Sequence, residues 1–193
     1  MTTLLLPGLG GSGPGHWQAL WRESSPDAHL VEQDSWNAPV LDAWIERAAA
    51  EIERAPGAVL VAHSLACALV AHLSERRPDL LIGGALLVAP ADVDDRMRTP
   101  GTVASFAPMP LERLSFPSIV VGSSNDPTVS IGRAMLFAYA WGSRFVHLRD
   151  SGHINVASGF GPWLDGHRLA KQLKETRGRR PDLRLIEAGR YPA

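Results

Sequence analysis

Short apolar runs alternate with helix-length amphipathic segments along most of the chain, and this alternation restricts the fold more than any other feature. Runs at Thr3–Leu6, His29–Glu32, Ala58–Ala62, Gly84–Ala89, Ser118–Val121 and Arg144–Leu148 are short and rich in Val, Leu and Ile. Continuous apolar runs of this kind suit strands buried on both faces of a parallel sheet. The stretches between them are long enough for the crossover helices that parallel pairing requires. The expected fold class is α/β, with a mostly parallel sheet of about six strands and helices on both faces.

The helical segments agree with this. "PVLDAWIERAAAEIERAPG" places Val40, Leu41, Trp44, Ile45, Ala48 and Ile52 on one face. It opens at Pro39, a favoured first-turn residue, and stops before Pro56-Gly57. Leu65–Leu73 is apolar nearly all round, which predicts a deeply buried helix. Further helices are expected near Ile131–Ala140 and within Gly161–Lys174. One domain is expected over residues 1–178, with residues 179–193 an arginine-containing C-terminal tail. The segment from Pro90 to Pro117 matches neither period. Loops beyond the carboxyl ends of parallel strands shape ligand crevices, so it is expected to wall a pocket.

The net charge is -1, so no basic field attracts nucleic acid or an anionic membrane. Cys67 is the only cysteine. It excludes an internal disulfide and fits a reducing compartment. The apolar run Leu4–Leu6 ends at Pro7, too short for a secretory signal, and no run approaches a membrane span. A cytoplasmic protein is the simplest expectation. The sequence leaves the oligomeric state open, a homo-oligomer included.

Gly8-Leu9-Gly10-Gly11-Ser12-Gly13 follows the first strand and matches a dinucleotide-binding fingerprint, with Glu32 at about the spacing of a ribose-binding acid. In such a site the loop runs directly into a helix that meets the pyrophosphate. Here Pro14-Gly15 delays the helix to about His16–Trp17, and Pro7 separates strand from loop. The better reading is a backbone loop that presents N–H groups to an oxyanion, with Gly10 lining the adjacent pocket and His16 and Trp17 either lining it too or capping and packing the first helix.

That oxyanion needs a nucleophile. In "VLVAHSLACALV", Ser64 stands between a strand and a helix with alanine two residues away on either side, Ala62 and Ala66. Nucleophile elbows carry small residues at these places because strand and helix approach closely around a tight turn. Alanine crowds this turn without forbidding it. A serine hydroxyl also needs a histidine base and an acid to orient that base. Asp126 follows the fifth strand in "GSSNDPTVS", and His153 follows the sixth in "RDSGHINV". All three lie beyond the carboxyl ends of their strands, in the order Ser, Asp, His of α/β-hydrolases. Asp92, Asp94 and Asp95 read as a solvated acidic cluster, and Asp150 is too near His153 in sequence to serve it. His63 is expected to point away from the serine and pack. His147 and His167 read as structural. The oxyanion donors are expected from the backbone N–H groups of Leu65 and Leu9.

"LLLPGLGGSGPGHWQALW", "LVAHSLACALV", "VGSSNDPTVS" and "DSGHIN" together resemble the small serine α/β-hydrolases of the retinoblastoma-binding-protein type, whose bacterial members are YdeN-like. The resemblance covers about residues 2–175. It implies a compact α/β-hydrolase fold without a lid domain, and Ser64, Asp126 and His153 as a catalytic triad. The elbow departs from the family pattern in its two alanines. The L-x-C-x-E motif of animal members is absent, since Leu65-Ala66-Cys67-Ala68-Leu69 ends in leucine.

The expected activity is hydrolysis of small carboxylic esters, with amides and thioesters left open. The alternative is a catalytically weak binding or scaffold protein on the same fold. No cofactor is expected, and no metal, since no His/Cys/Asp cluster has ligand spacing. The expected partner is a small-molecule ester.

Overall fold

A computed structural model of the chain describes residues 1–175. Six strands form one sheet in the order β2-β1-β3-β4-β5-β6, and every pairing is parallel. They are β1 (Thr3–Leu6), β2 (Ala28–Leu30), β3 (Ala58–His63), β4 (Ile82–Val88), β5 (Ser118–Ser123) and β6 (Arg144–Leu148). The helices are α1 (Trp17–Ser24), α2 (Leu41–Arg54), α3 (Leu65–Arg76), α4 (Ile131–Trp141) and α5 (Leu164–Glu175). The tail expected over 179–193 lies outside the described residues.

Period-two alternation divides the core into two layers. Leu4, Leu6, Leu60, Ala62, Leu87 and Val120 face α2, α3 and α4. Leu5, Val59, Val61, Leu86, Val88 and Val121 face α1 and α5. All six residues of β3 are buried, which explains why Ala58–Ala62 is apolar throughout and leaves His63 as the one polar side chain of the strand. Central β3 pairs with β1 on one side and β4 on the other, so its end lies at the middle of the carboxyl edge.

Several boundaries differ from the sequence reading. The second strand ends at Leu30, because its last ladder bond is Val31 N–H to the Leu5 carbonyl, and Glu32 is exposed. The fourth strand begins at Ile82 and ends before Ala89, whose φ of 49° turns the chain out of the sheet. Helix α2 starts at Leu41 rather than Pro39.

The segment 90–117 is not solvated coil. Val103, Phe106, Met109, Leu114 and Phe116 insert into the layer beneath α3 and α4. The acidic cluster is likewise not simply solvated. Asp92 is buried, and the Arg133 fork reaches its two carboxylate oxygens at 2.7 and 2.8 Å. The same guanidinium reaches Asp94 at 3.0 Å. Removing one partner of a buried pair strands the other charge. Arg133→Met is therefore expected to lower unfolding stability by about 3 kcal/mol, measured by urea denaturation. Adding Asp92→Asn in the same chain should restore part of that loss.

Candidate active site

The turn between β3 and α3 holds Ser64 at φ 57° and ψ -121°, a conformation that L-residues seldom adopt. Strain of this kind persists only where its surroundings over-determine it. Here Ser64 N–H donates to the Val88 carbonyl at 2.9 Å, and the Ser64 carbonyl accepts from Cys67 N–H at 3.0 Å. Both flanking alanines are fully buried in the core layer, so their methyl groups are accommodated by packing.

The close approach is taken up by another residue. A Cβ on Gly8 would lie 2.8 Å from the Ser64 Cβ, 2.8 Å from the His63 carbonyl oxygen and 3.1 Å from Leu65 N. Gly8 is therefore the glycine this elbow needs, supplied by the loop that follows the neighbouring strand β1. Parallel pairing of Leu6 with Ala62 is the signal that points to it.

Beyond Gly8 the loop turns back, with Gly11 N–H bonded to the Gly8 carbonyl at 3.0 Å and Gly10 N–H to the Trp36 carbonyl at 2.9 Å. Gly10 and Gly11 have φ of 79° and 74°. The N–H groups of Leu9 and Leu65 have no acceptor among the described residues. Leu65 is 1% exposed. A buried N–H without a partner is rare in folded chains.

The three residues singled out in the sequence meet at this edge. His153 Nε2 lies 2.9 Å from Ser64 Oγ, and His153 Nδ1 lies 2.9 Å from Asp126 Oδ2. The Asp126 side chain is fully buried, and that of His153 is 14% exposed. Two supporting residues were not anticipated. Thr128 donates to Asp126 Oδ1 through both N–H and Oγ1, each at 2.8 Å. Asn125 Oδ1 accepts from Gly152 N–H at 2.7 Å and Ser123 Oγ at 2.9 Å, joining the acid loop to the base loop. Thr128 could have been found two residues after Asp126, the spacing at which an Asx turn bonds its own backbone. His153 N–H also donates to Ser158 Oγ at 3.0 Å.

A serine hydrolase family model matches residues 3–172. The chain belongs to this serine hydrolase family. A YdeN-like hydrolase of Pectobacterium atrosepticum is 32% identical, with 90% of this chain and 91% of that one covered and a TM-score of 0.78. The ydeN gene product of B. subtilis is 16% identical, over 91% of this chain and 99% of that one, with a TM-score of 0.74. A thermophilic esterase from Thermogutta terrifontis shares the fold at 15% identity, over 92% and 91% of the two chains, with a TM-score of 0.63. No curated protein matches the hydrolase. The α/β-hydrolase fold and YdeN-like membership expected from the sequence hold. No helix of the described residues is long and apolar enough to cross a membrane.

His16 and Trp17, for which the sequence leaves pocket lining and capping or packing of the first helix both open, are buried in this hydrolase. Trp17 is fully enclosed, and its Nε1 donates to the Ile154 carbonyl at 2.9 Å, bracing the base loop from behind. The His16 Nδ1 accepts from Gln18 N–H and caps α1. The helix N-terminus is thus occupied by a side chain, unlike that of a pyrophosphate site. Gly10 alone of the three is exposed. Asp150 is exposed and faces Ser124, not His153. A cavity of about 320 Å³ elsewhere holds Ser25 and His167. Their 3.4 Å contact has no carboxylate on the ring among the described residues, so it lacks an orienting acid. A larger cavity, about 460 Å³ and lined by Arg22, His29 and Arg47 among others, holds no serine or cysteine.

Burial, and secondarily the His153 ring, lower the His16 pKa to about 4. Unfolding returns it to about 6.5, so the unfolded chain takes up the proton first and stability falls as pH drops from about 7 to about 4. His16 alone contributes about 3 kcal/mol to this acid loss. His16→Asn keeps a capping acceptor without the titration. Its unfolding free energy is expected to be correspondingly less pH-dependent in urea titrations.

Proposed function

We propose that this hydrolase cleaves small carboxylic esters through an acyl-enzyme on Ser64. The observation that carries the reading is the relay from Ser64 Oγ through His153 to Asp126, both contacts at 2.9 Å, on a strained elbow. Ser64 Oγ attacks the carbonyl carbon while His153 Nε2 takes its proton. The tetrahedral oxyanion is held by the N–H groups of Leu9 and Leu65, which are free for it. Its collapse expels the alkoxide, which receives the proton from His153. A water then repeats the sequence, and Ser64 is regenerated. Asp126 fixes the ring orientation and stabilises the imidazolium. The ester class is supported by the esterase with which the chain shares its fold. The expected result is labelling by a fluorophosphonate probe in the wild type and none in Ser64→Ala. A folded wild type that takes no label overturns the assignment and leaves a binding protein on a hydrolase fold.

A further inference from the structure

His63 ends β3 immediately before Ser64, and its side chain falls on the same face as Val59 and Val61. It is 6% exposed. The His16 ring lies edge-on at 4.9 Å on one side, and the His153 ring lies at 4.8 Å on another. The Trp17 ring meets it at 5.8 Å. His63 Nε2 is 2.9 Å from the carbonyl oxygen of His153. A carbonyl oxygen only accepts, so Nε2 carries a proton. Burial, with smaller contributions from the His153 and His16 rings, pushes the His63 pKa well below the ordinary histidine range. The ring is therefore the neutral Nε2–H tautomer.

This arrangement differs from the other restraints on His153. Asp126, Thr128 and Asn125 tie the base loop to the acid loop, and Ser158 ties it to itself. Apart from the Ser64–His153 contact, the His63 bond is the only one by which a side chain joins the base loop to β3 among the described residues. The peptide of His63 carries the nucleophile, and its ring holds the backbone of the base.

We propose that His63 is a positioning residue that sets the separation between Ser64 and His153 by donating its Nε2 proton to the His153 carbonyl. The inference rests on Ser64 and His153 acting as nucleophile and base. It assigns His63 more than the packing expected from its place beside the serine. The role needs a donor at the reach of Nε2, not merely a ring that fills the space.

The test compares His63→Phe, which keeps bulk but loses the donor, with His63→Gln, whose amide nitrogen reaches about as far. A misplacement of about 1 Å can cost about 10²-fold in rate. On a p-nitrophenyl ester, kcat of His63→Phe is expected to fall by about that factor with KM little changed, and His63→Gln should recover most of it. Folded His63→Phe with wild-type kcat, or His63→Gln no better than His63→Phe, overturns the proposal. Should His63→Phe fail to fold, ¹⁵N NMR of the wild-type ring decides. The Nε2–H tautomer with a slowly exchanging proton supports the proposal, and the Nδ1–H tautomer overturns it. A wild type with no Ser64-dependent labelling removes the nucleophile reading itself, and the proposal with it, whatever the variants do.

Discussion

Ser64→Ala is expected to lower turnover of an activated ester by at least about 10⁴-fold, leaving only what binding and the oxyanion donors supply. The geometry gives the reason. Ser64 Oγ is the only described hydroxyl within hydrogen-bond reach of His153 Nε2, so no neighbouring group can take over the attack. Removing the base as well should add little. Residues that act as a unit are strongly non-additive, and the Ser64→Ala/His153→Ala double variant is expected to match the single one. Steady-state rates on a p-nitrophenyl ester, with circular dichroism to establish folding, measure both. Additive losses would mean that the two side chains serve separate steps.

Gly8→Ala should be nearly as damaging, although Gly8 carries no side chain and touches no reacting atom. A Cβ there would lie 2.8 Å from both the Ser64 Cβ and the His63 carbonyl oxygen, nearer than such atoms normally approach. Neither neighbour is the free end of a flexible chain, so either the loop or the elbow must shift. Displacing one oxyanion donor typically costs about 10²–10³-fold in kcat, and overpacking costs about 1–3 kcal/mol of stability. Both are expected for Gly8→Ala, read from kcat and from urea denaturation. Gly13→Ala is the control from the same loop, because a Cβ there meets nothing within 4 Å. If the two variants behave alike, the close approach at Gly8 has no part in turnover.

The residues that could be read from the sequence are those whose signal is local. Ser64, Asp126 and His153 each follow an apolar run, and their chain order is informative because parallel strands bring all their carboxyl ends to one edge. Strand cores were legible for the same reason, whereas their ends were not. Where β2 stops is decided by its ladder bond to Leu5, and where β4 stops by the turn at Ala89. Asp92 was misread because its partner lies 41 residues away on α4. Nothing in "PADVDD" distinguishes a buried acid from a hydrated one. The nearness of Trp17 to the glycine loop leaves pocket lining and helix packing equally open. The periodicity of α1 could not reveal that its indole reaches the Ile154 carbonyl. Gly8 is one of several glycines in its loop by sequence, and only the register of β1 against β3 singles it out.

The bonds among Ser123, Asn125, Thr128, Gly152 and His153 make the acid and base loops a single mechanical piece. An insertion in one would be transmitted directly to the other, which leaves little freedom to change substrate there. The segment 90–117 is different. It reaches this piece through the Asp92 N–H to the Thr128 carbonyl and the Arg98 guanidinium to the Pro127 carbonyl, while Arg133 anchors its acidic end. Its outer residues, Met97 and Leu111 among them, are exposed. Relatives with other substrate preferences should therefore differ most in the length and composition of this stretch, and least in the spacing between Asp126 and His153.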